Sequence, residues 1–148
     1  VGLLISGSEV SKYSELRRAV HRYGLHKHVR FLGYQTEGSL AVLYRLASVF
    51  VIPSLYEGFG LSPLEALASE TPVVASNVSS LPEVLGNAAI LVNPYDANAI
   101  ADGIVTALED SDVITDLKEK GRIRVNRFSW TNSIKKVKQI YQEVGAEH

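Results

Sequence analysis

Two glutamates, Glu57 and Glu65, flank a Gly-x-Gly turn in the run Pro53-Ser-Leu-Tyr-Glu57-Gly-Phe-Gly60-Leu-Ser-Pro63-Leu-Glu65-Ala-Leu-Ala68. The run leaves an apolar strand, crosses the turn and enters a helix. Such a turn exposes backbone N–H groups, and a helix N-terminus adds roughly half a positive charge. Anions are favoured there. The two carboxylates work the other way, because they repel phosphate and accept hydrogen bonds from hydroxyls. A ligand that satisfies both must carry a charged part and a hydroxylated part, as a nucleotide sugar does.

Each glutamate also has a plainer reading. Ser62-Pro63-Leu64-Glu65 fits a capping box, with Ser62 as N-cap, Pro63 at the first helical position and Glu65 three residues after the cap. Glu57 can be read as a solvated loop acid. Gly58-Phe-Gly60 does not extend into the six-residue dinucleotide fingerprint, and the sequence contains no Gly-x-x-x-x-Gly-Lys-Ser/Thr phosphate loop. From these residues alone, both readings of each acid stand.

The elements that must position them alternate strand and helix. Leu3–Ser6 reads as a buried strand, Lys12–Tyr23 as a helix facing inward through Leu16, Val20 and Tyr23, and Val29–Gly33 as a second strand. Residues 37–47 read as a helix with Leu40, Leu43 and Ala47 inward, and Val49–Ile52 as a third strand, apolar throughout as when both sheet faces are covered. A helix over about 63–69, a strand over 73–75, a short helix over 82–85 and a last strand over 89–92 follow. The remainder is helical: one helix through Ile100, Ile104 and Leu108, another from Ile114 to Phe128, and a last through Ile134, Val137, Ile140, Tyr141 and Val144, capped by Thr131 or Asn132. Trp130 reads as a packing anchor. Short connections and this alternation predict an α/β fold, a Rossmann-like parallel sheet with helices on both faces. In such sheets ligands sit beyond the carboxyl ends of the strands. Four loops fall there: Gly7-Ser8-Glu9, Gly33-Tyr34-Gln35, Tyr56–Leu61 and Asn77–Leu81.

Composition narrows the class. At 148 residues the chain is expected to form one domain, and 46% hydrophobic with 21% charged residues fits a folded chain. A net charge of −1 gives no basic field for nucleic acid, and the absence of cysteine removes disulfides and thiolate metal sites. No apolar run approaches the ~20 residues that cross a bilayer. With no leader pattern in view, a cytoplasmic location is the expectation, and Asn77-Val-Ser79 reads as a chance sequon. Lys12, Arg17, Arg18, Arg22, Lys27 and Arg30 read first as a solvated face and second as a patch for peripheral association with anionic lipid. His21, His26 and His28, with no nearby acid, do not read as a metal site.

From Gly33 to Asp96 the chain resembles the donor-binding half of retaining glycosyltransferases of the GT-B fold, family 4 (group 1). The resemblance rests on Pro53–Leu61, Glu65-Ala66, Thr71-Pro-Val-Val-Ala-Ser76, Leu81-Pro-Glu-Val84 and Asn93-Pro94, with seven residues between Glu57 and Glu65. It implies that Glu57 accepts hydrogen bonds from the donor sugar, and that the backbone of Gly58, Phe59, Gly60 and Leu61 approaches sugar and diphosphate. Glu65 would accept from the ribose hydroxyls, and Tyr34 and Gln35 would hold the base through main-chain groups. A helix N-terminus can stabilise a leaving diphosphate, so no metal and no cofactor is expected. Three positions depart from the family's pattern: Glu70 where Gly is usual, Ser62 for a common Pro, and Asn87 for Asp.

The resemblance also implies what lies outside the chain. The family's donor domain begins one strand and one helix earlier, with an Arg and a Lys that neutralise the diphosphate, and an acceptor domain precedes that. Val1-Gly-Leu-Leu-Ile5 opens directly in a strand, so the expectation is one nucleotide-sugar-binding domain, residues 1–148, cut from a larger enzyme and truncated at its N-terminus. The expected reaction moves a hexose from a nucleotide sugar to a glycan or lipid-linked acceptor. Ser79-Ser-Leu-Pro-Glu-Val84 resembles the mannosyltransferase branch, which makes GDP-mannose the expected donor. A non-catalytic Rossmann-like module that binds a nucleotide or a partner is the alternative.

Overall fold

A computed structural model of the chain describes residues 1–7 and 14–146. The expected Gly7-Ser8-Glu9 loop beyond Gly7, the start of the first helix at Lys12, and the last two residues lie outside that range. The architecture is α/β with parallel strands, as the alternation predicts, and the strands fall into two sheets. The chain divides into two compact units, Val1–Leu43 and Tyr44–His148.

The first unit pairs β1 (Leu3–Ser6) with β2 (Val29–Gly33) in parallel, Leu3 opposite Val29 and Ile5 opposite Phe31, with a register shift between Ile5 and Ser6. Between them runs α1 (Ser14–Arg22), whose Glu15 in the first turn and His21 and Arg22 in the last turn complement the helix dipole. The Arg17 guanidinium lies over the Phe31 ring at 5.2 Å. Leu3 and Leu4 are about half exposed, at 51% and 52%, which corrects the expectation of a buried strand. Two strands with α1 and the start of the next helix make too few layers to cover both sheet faces. Leu16 and Tyr23 are likewise exposed. α2 (Glu37–Leu46) starts in this unit and carries into the second.

In the second unit β4 (Val73–Ser76) lies between β3 (Phe50–Ile52) and β5 (Ile90–Val92), all parallel. Every residue of β4 is buried, because helices cover both of its faces. On one face α5 (Ala97–Glu109) packs Ala107 with Ile100 and Ile104 against Val74 and Val92. Gly103 lets α5 approach closely, since a Cβ there would meet Val92 Cγ1 at 2.9 Å and Val74 Cγ1 at 3.3 Å. α3 (Leu61–Ala68), α4 (Leu81–Leu85), α6 (Ser111–Val125) and α7 (Trp130–Ala146) complete the unit. Asp96 caps α5 by accepting from the N–H groups of Asn98 and Ala99, and Asp110 caps α6 through those of Asp112 and Val113.

α3 starts two residues earlier than the capping-box reading predicts. Its N-cap is Gly60, left-handed at φ 103°, and no side chain caps it. Ser62 therefore lies inside the first turn, and Glu65 is not part of a capping box. The far end of α3 closes as a Schellman motif, with Thr71 N–H on the Ala66 carbonyl and Glu70 N–H on that of Leu67, both at 3.0 Å. Glu70 occupies the left-handed position of that motif at φ 59°, where a glycine carries no steric penalty. Glu70→Gly should therefore stabilise the protein by about 0.5–1 kcal/mol, the left-handed cost less glycine's extra chain entropy. A urea midpoint that rises at constant slope would show it.

Three further expectations are corrected near the C-terminus. Trp130 is 76% exposed and so is not a packing anchor within this chain. It opens α7 itself, and Ser129, rather than Thr131 or Asn132, stands before the helix and accepts the Asn132 N–H at 3.5 Å. Phe128 lies past the end of α6, just after the turn at Asn126 and Arg127.

Candidate functional site

The second unit brings Glu57, Gly58, Phe59, Gly60, Leu61 and Glu65 together at the carboxyl end of β3. Residues 53–60 form the loop and Leu61 is the first residue of α3. Glu57 is half buried. Gly58, Phe59 and Leu61 are exposed at the loop's surface, and Gly60 is buried beneath them. Gly60's conformation turns the chain from loop to helix within one residue. Its position is tight as well, since a Cβ there would stand 3.0 Å from Leu81 Cδ2.

Glu65 lies one turn into α3 and is exposed. The Tyr44 hydroxyl, on a residue only 7% exposed, donates to Glu65 Oε2 at 3.2 Å. Burial, and then the adjacent Glu65 carboxylate, push the Tyr44 phenol above its ordinary value, so it keeps the proton it donates. Tyr44 is itself held from below, where Thr71 Oγ1 donates to its carbonyl at 2.6 Å and the Phe50 ring meets its ring edge-on at 5.4 Å. One carboxylate oxygen of Glu65 is thus oriented from the core, which leaves the other lone pairs for a ligand.

The loop after β4 supports the turn from the other side. Ser79 Oγ accepts the Glu57 N–H at 3.3 Å and donates to the Glu57 carbonyl at 2.8 Å. Ser80 Oγ lies 2.8 Å from the Glu57 carbonyl oxygen and 2.9 Å from that of Phe59. Among the described residues no acceptor takes the N–H groups of Gly58, Phe59 or Gly60. Farther back, the Phe59 ring meets Phe128 edge-on at 5.8 Å, and Arg124 sits over Phe128. The Arg124 guanidinium also donates to the carbonyls of Val84, at 2.8 Å, and Glu83, which closes the C-terminal end of α4. Ser79, Ser80, Tyr44, Arg124 and Phe128 were not singled out by type and spacing. The position of Asn77–Leu81 at a strand's carboxyl end, and the resemblance of Ser79–Val84 to the mannosyltransferase branch, are the signals that pointed to the serines.

Tyr34 and Gln35 belong to the first unit, at the carboxyl end of β2. Tyr34 is exposed. The Gln35 side-chain amide donates to the carbonyls of Leu32 and Tyr34, both at 2.9 Å, so that side chain braces its own loop.

Comparison with known proteins identifies the family. The family model of the glycosyl transferases group 1 matches residues 1–124. The chain is 40% identical over 130 residues to O-antigen chain mannosyltransferase B of Escherichia coli, covering 88% of this chain and 34% of that protein. It is 34% identical over 140 residues to D-inositol 3-phosphate glycosyltransferase of Corynebacterium kroppenstedtii, covering 93% of this chain and 31% of that protein. Among solved structures, sucrose-phosphate synthase from Thermosynechococcus elongatus superposes with a TM-score of 0.88 at 35% identity, over 99% of this chain and 39% of that one. The chain therefore spans about a third of the length of the curated relatives it matches. By sequence and by fold, it belongs to the glycosyl transferases group 1.

Proposed function

We propose that this chain is the donor-binding domain of a retaining hexosyltransferase, which transfers a sugar from a nucleoside diphosphate to a glycan or lipid-linked acceptor. The observation that carries the reading is a glycine turn with unclaimed amides, flanked by Glu57 on one side and a core-oriented Glu65 on the other. The amides of Gly58 to Leu61 and the start of α3 receive the diphosphate, whose growing charge they stabilise as the sugar departs. Glu57 accepts from the sugar hydroxyls and offsets positive charge developing on the sugar ring. Glu65 accepts from the ribose. No metal and no cofactor is assigned a role. A mannosyltransferase among the relatives supports mannose as the sugar and GDP-mannose as the donor. No described helix is long and apolar enough to cross a membrane. A cytoplasmic reaction is part of this reading, with the basic residues of α1 taken first as a solvated face and second as a site for peripheral attachment to anionic lipid. Residues 1–148 alone should turn over little, because the opposing wall that orients an acceptor and excludes water is contributed from elsewhere.

The test is a calorimetric titration of the full-length protein with GDP, UDP and ADP, each with and without its sugar. One nucleotide should be preferred, and the sugar should add affinity. Equal affinity for all three, with nothing gained from the sugar, would instead support a non-catalytic nucleotide-binding module.

A further inference from the structure

The serine pair after β4 makes bonds that neither a capping role nor simple packing calls for. Ser80 stands at the N-cap of α4, where a serine ordinarily gives its oxygen to the helix's own amides, yet its side chain makes no cap bond there. The hydroxyl goes instead to carbonyls 21 and 23 residues away in sequence, those of Phe59 and Glu57. Ser79 is left-handed at φ 59°, a conformation that costs a residue with a Cβ about 1–2 kcal/mol. Glycine would avoid that cost but has no hydroxyl to join both the N–H and the carbonyl of Glu57.

The consequence follows from peptide geometry. In a trans peptide the C=O and N–H of one unit point in opposite directions, and the described chain has no cis bond. The Glu57 carbonyl shares its unit with the Gly58 N–H, and the Phe59 carbonyl shares its unit with the Gly60 N–H. Drawing both carbonyls onto the serines turns both amide protons away from them, and these are amides that no described group accepts from. We infer that Ser79 and Ser80 are positioning residues, which aim the Gly58 and Gly60 amides at the diphosphate of the donor. This inference rests on the reading of the loop as the donor site.

The experiment compares nucleoside diphosphate with parent nucleoside in the full-length protein, using GDP, UDP, ADP and guanosine, uridine, adenosine. Ser80→Ala should weaken the preferred diphosphate about tenfold and leave its nucleoside within about twofold, since one charge-bearing contact set is lost and the base and ribose contacts are not. Ser80→Thr, which keeps the hydroxyl, should restore most of the affinity. Ser79→Gly guards against a folding artefact: it relieves the left-handed strain, so its melting temperature should equal or exceed the parent's while diphosphate affinity falls. The inference is overturned if Ser80→Ala or Ser79→Gly binds the diphosphate as tightly as the parent, or if nucleoside affinity falls in step. Should Glu57→Gln weaken the sugar-bearing form while Ser80→Ala changes nothing, the serine assignment fails and the donor site survives. A parent protein that prefers none of the three diphosphates removes the donor reading and this inference together.

Discussion

Glu57→Gln is expected to lower kcat/KM for the nucleotide sugar by roughly 10²–10³-fold while changing affinity for the bare nucleoside diphosphate little. The substitution is informative because of how Glu57 is held. Its main-chain N–H and carbonyl are the groups that Ser79 and Ser80 bind, so the loop's course does not depend on the carboxylate. Glutamine keeps the length and one acceptor oxygen, removes the charge and puts an amide donor in place of the second oxygen. An amide still accepts from a sugar hydroxyl, so binding of the intact donor should fall modestly. The larger loss should appear in turnover, where an electron-poor sugar ring no longer faces an anion. Glu57→Ala, which also removes the acceptor, should weaken the sugar-bearing form more than the bare nucleotide. Equal losses for the two forms, or unchanged turnover in Glu57→Gln, would mean that the carboxylate does not touch the sugar.

Much of the second unit can be read from the sequence, because local pattern and tertiary demand coincide there. Val73-Val-Ala75 is apolar throughout and proves fully buried. The helical period through Ile100 and Ile104 proves to be α5. Where the reading failed, a distant partner decided the outcome. Ser62-Pro-Leu-Glu65 satisfies the capping-box spacing, but Tyr44 takes one Glu65 oxygen from 21 residues away, and the left-handed Gly60 lets the helix begin at Leu61. The bonds of Ser79 and Ser80 span 21 to 23 residues, and two adjacent serines in a loop carry no local sign of such a task. Leu3, Leu4 and Trp130 show the limit of hydrophobic patterning: apolarity marks a surface that seeks cover, and within this chain that cover is incomplete. The strained Glu70 was legible through the resemblance, which sets glycine at a place where the backbone does turn left-handed.

The two glycines of the turn are expected to fail in opposite ways when each receives a methyl group. Gly60→Ala should cost about 2–4 kcal/mol of stability, a backbone term near 1–3 for the φ of 103° and a further packing term for the Cβ placed 3.0 Å from Leu81 Cδ2. Leu81 is fully buried and follows Ser80 directly, so any shift that relieves the clash also moves the hydroxyl that holds the Phe59 carbonyl. Donor affinity should therefore fall along with the melting temperature. Gly58 differs on both counts: its φ is not in the left-handed region, and a Cβ there would meet no atom within 4 Å. Gly58→Ala should leave stability within about 0.5 kcal/mol, as at an unremarkable surface site. Its methyl group would stand in open space on a residue whose amide is unclaimed, so the nucleotide sugar should still bind more weakly. Thermal melting and donor titration of the two variants, measured side by side, separate the residue that shapes the turn from the residue that the ligand must approach. A Gly58→Ala protein with full donor affinity would show that nothing comes close to the turn on that side, and the sugar and diphosphate would have to lie elsewhere.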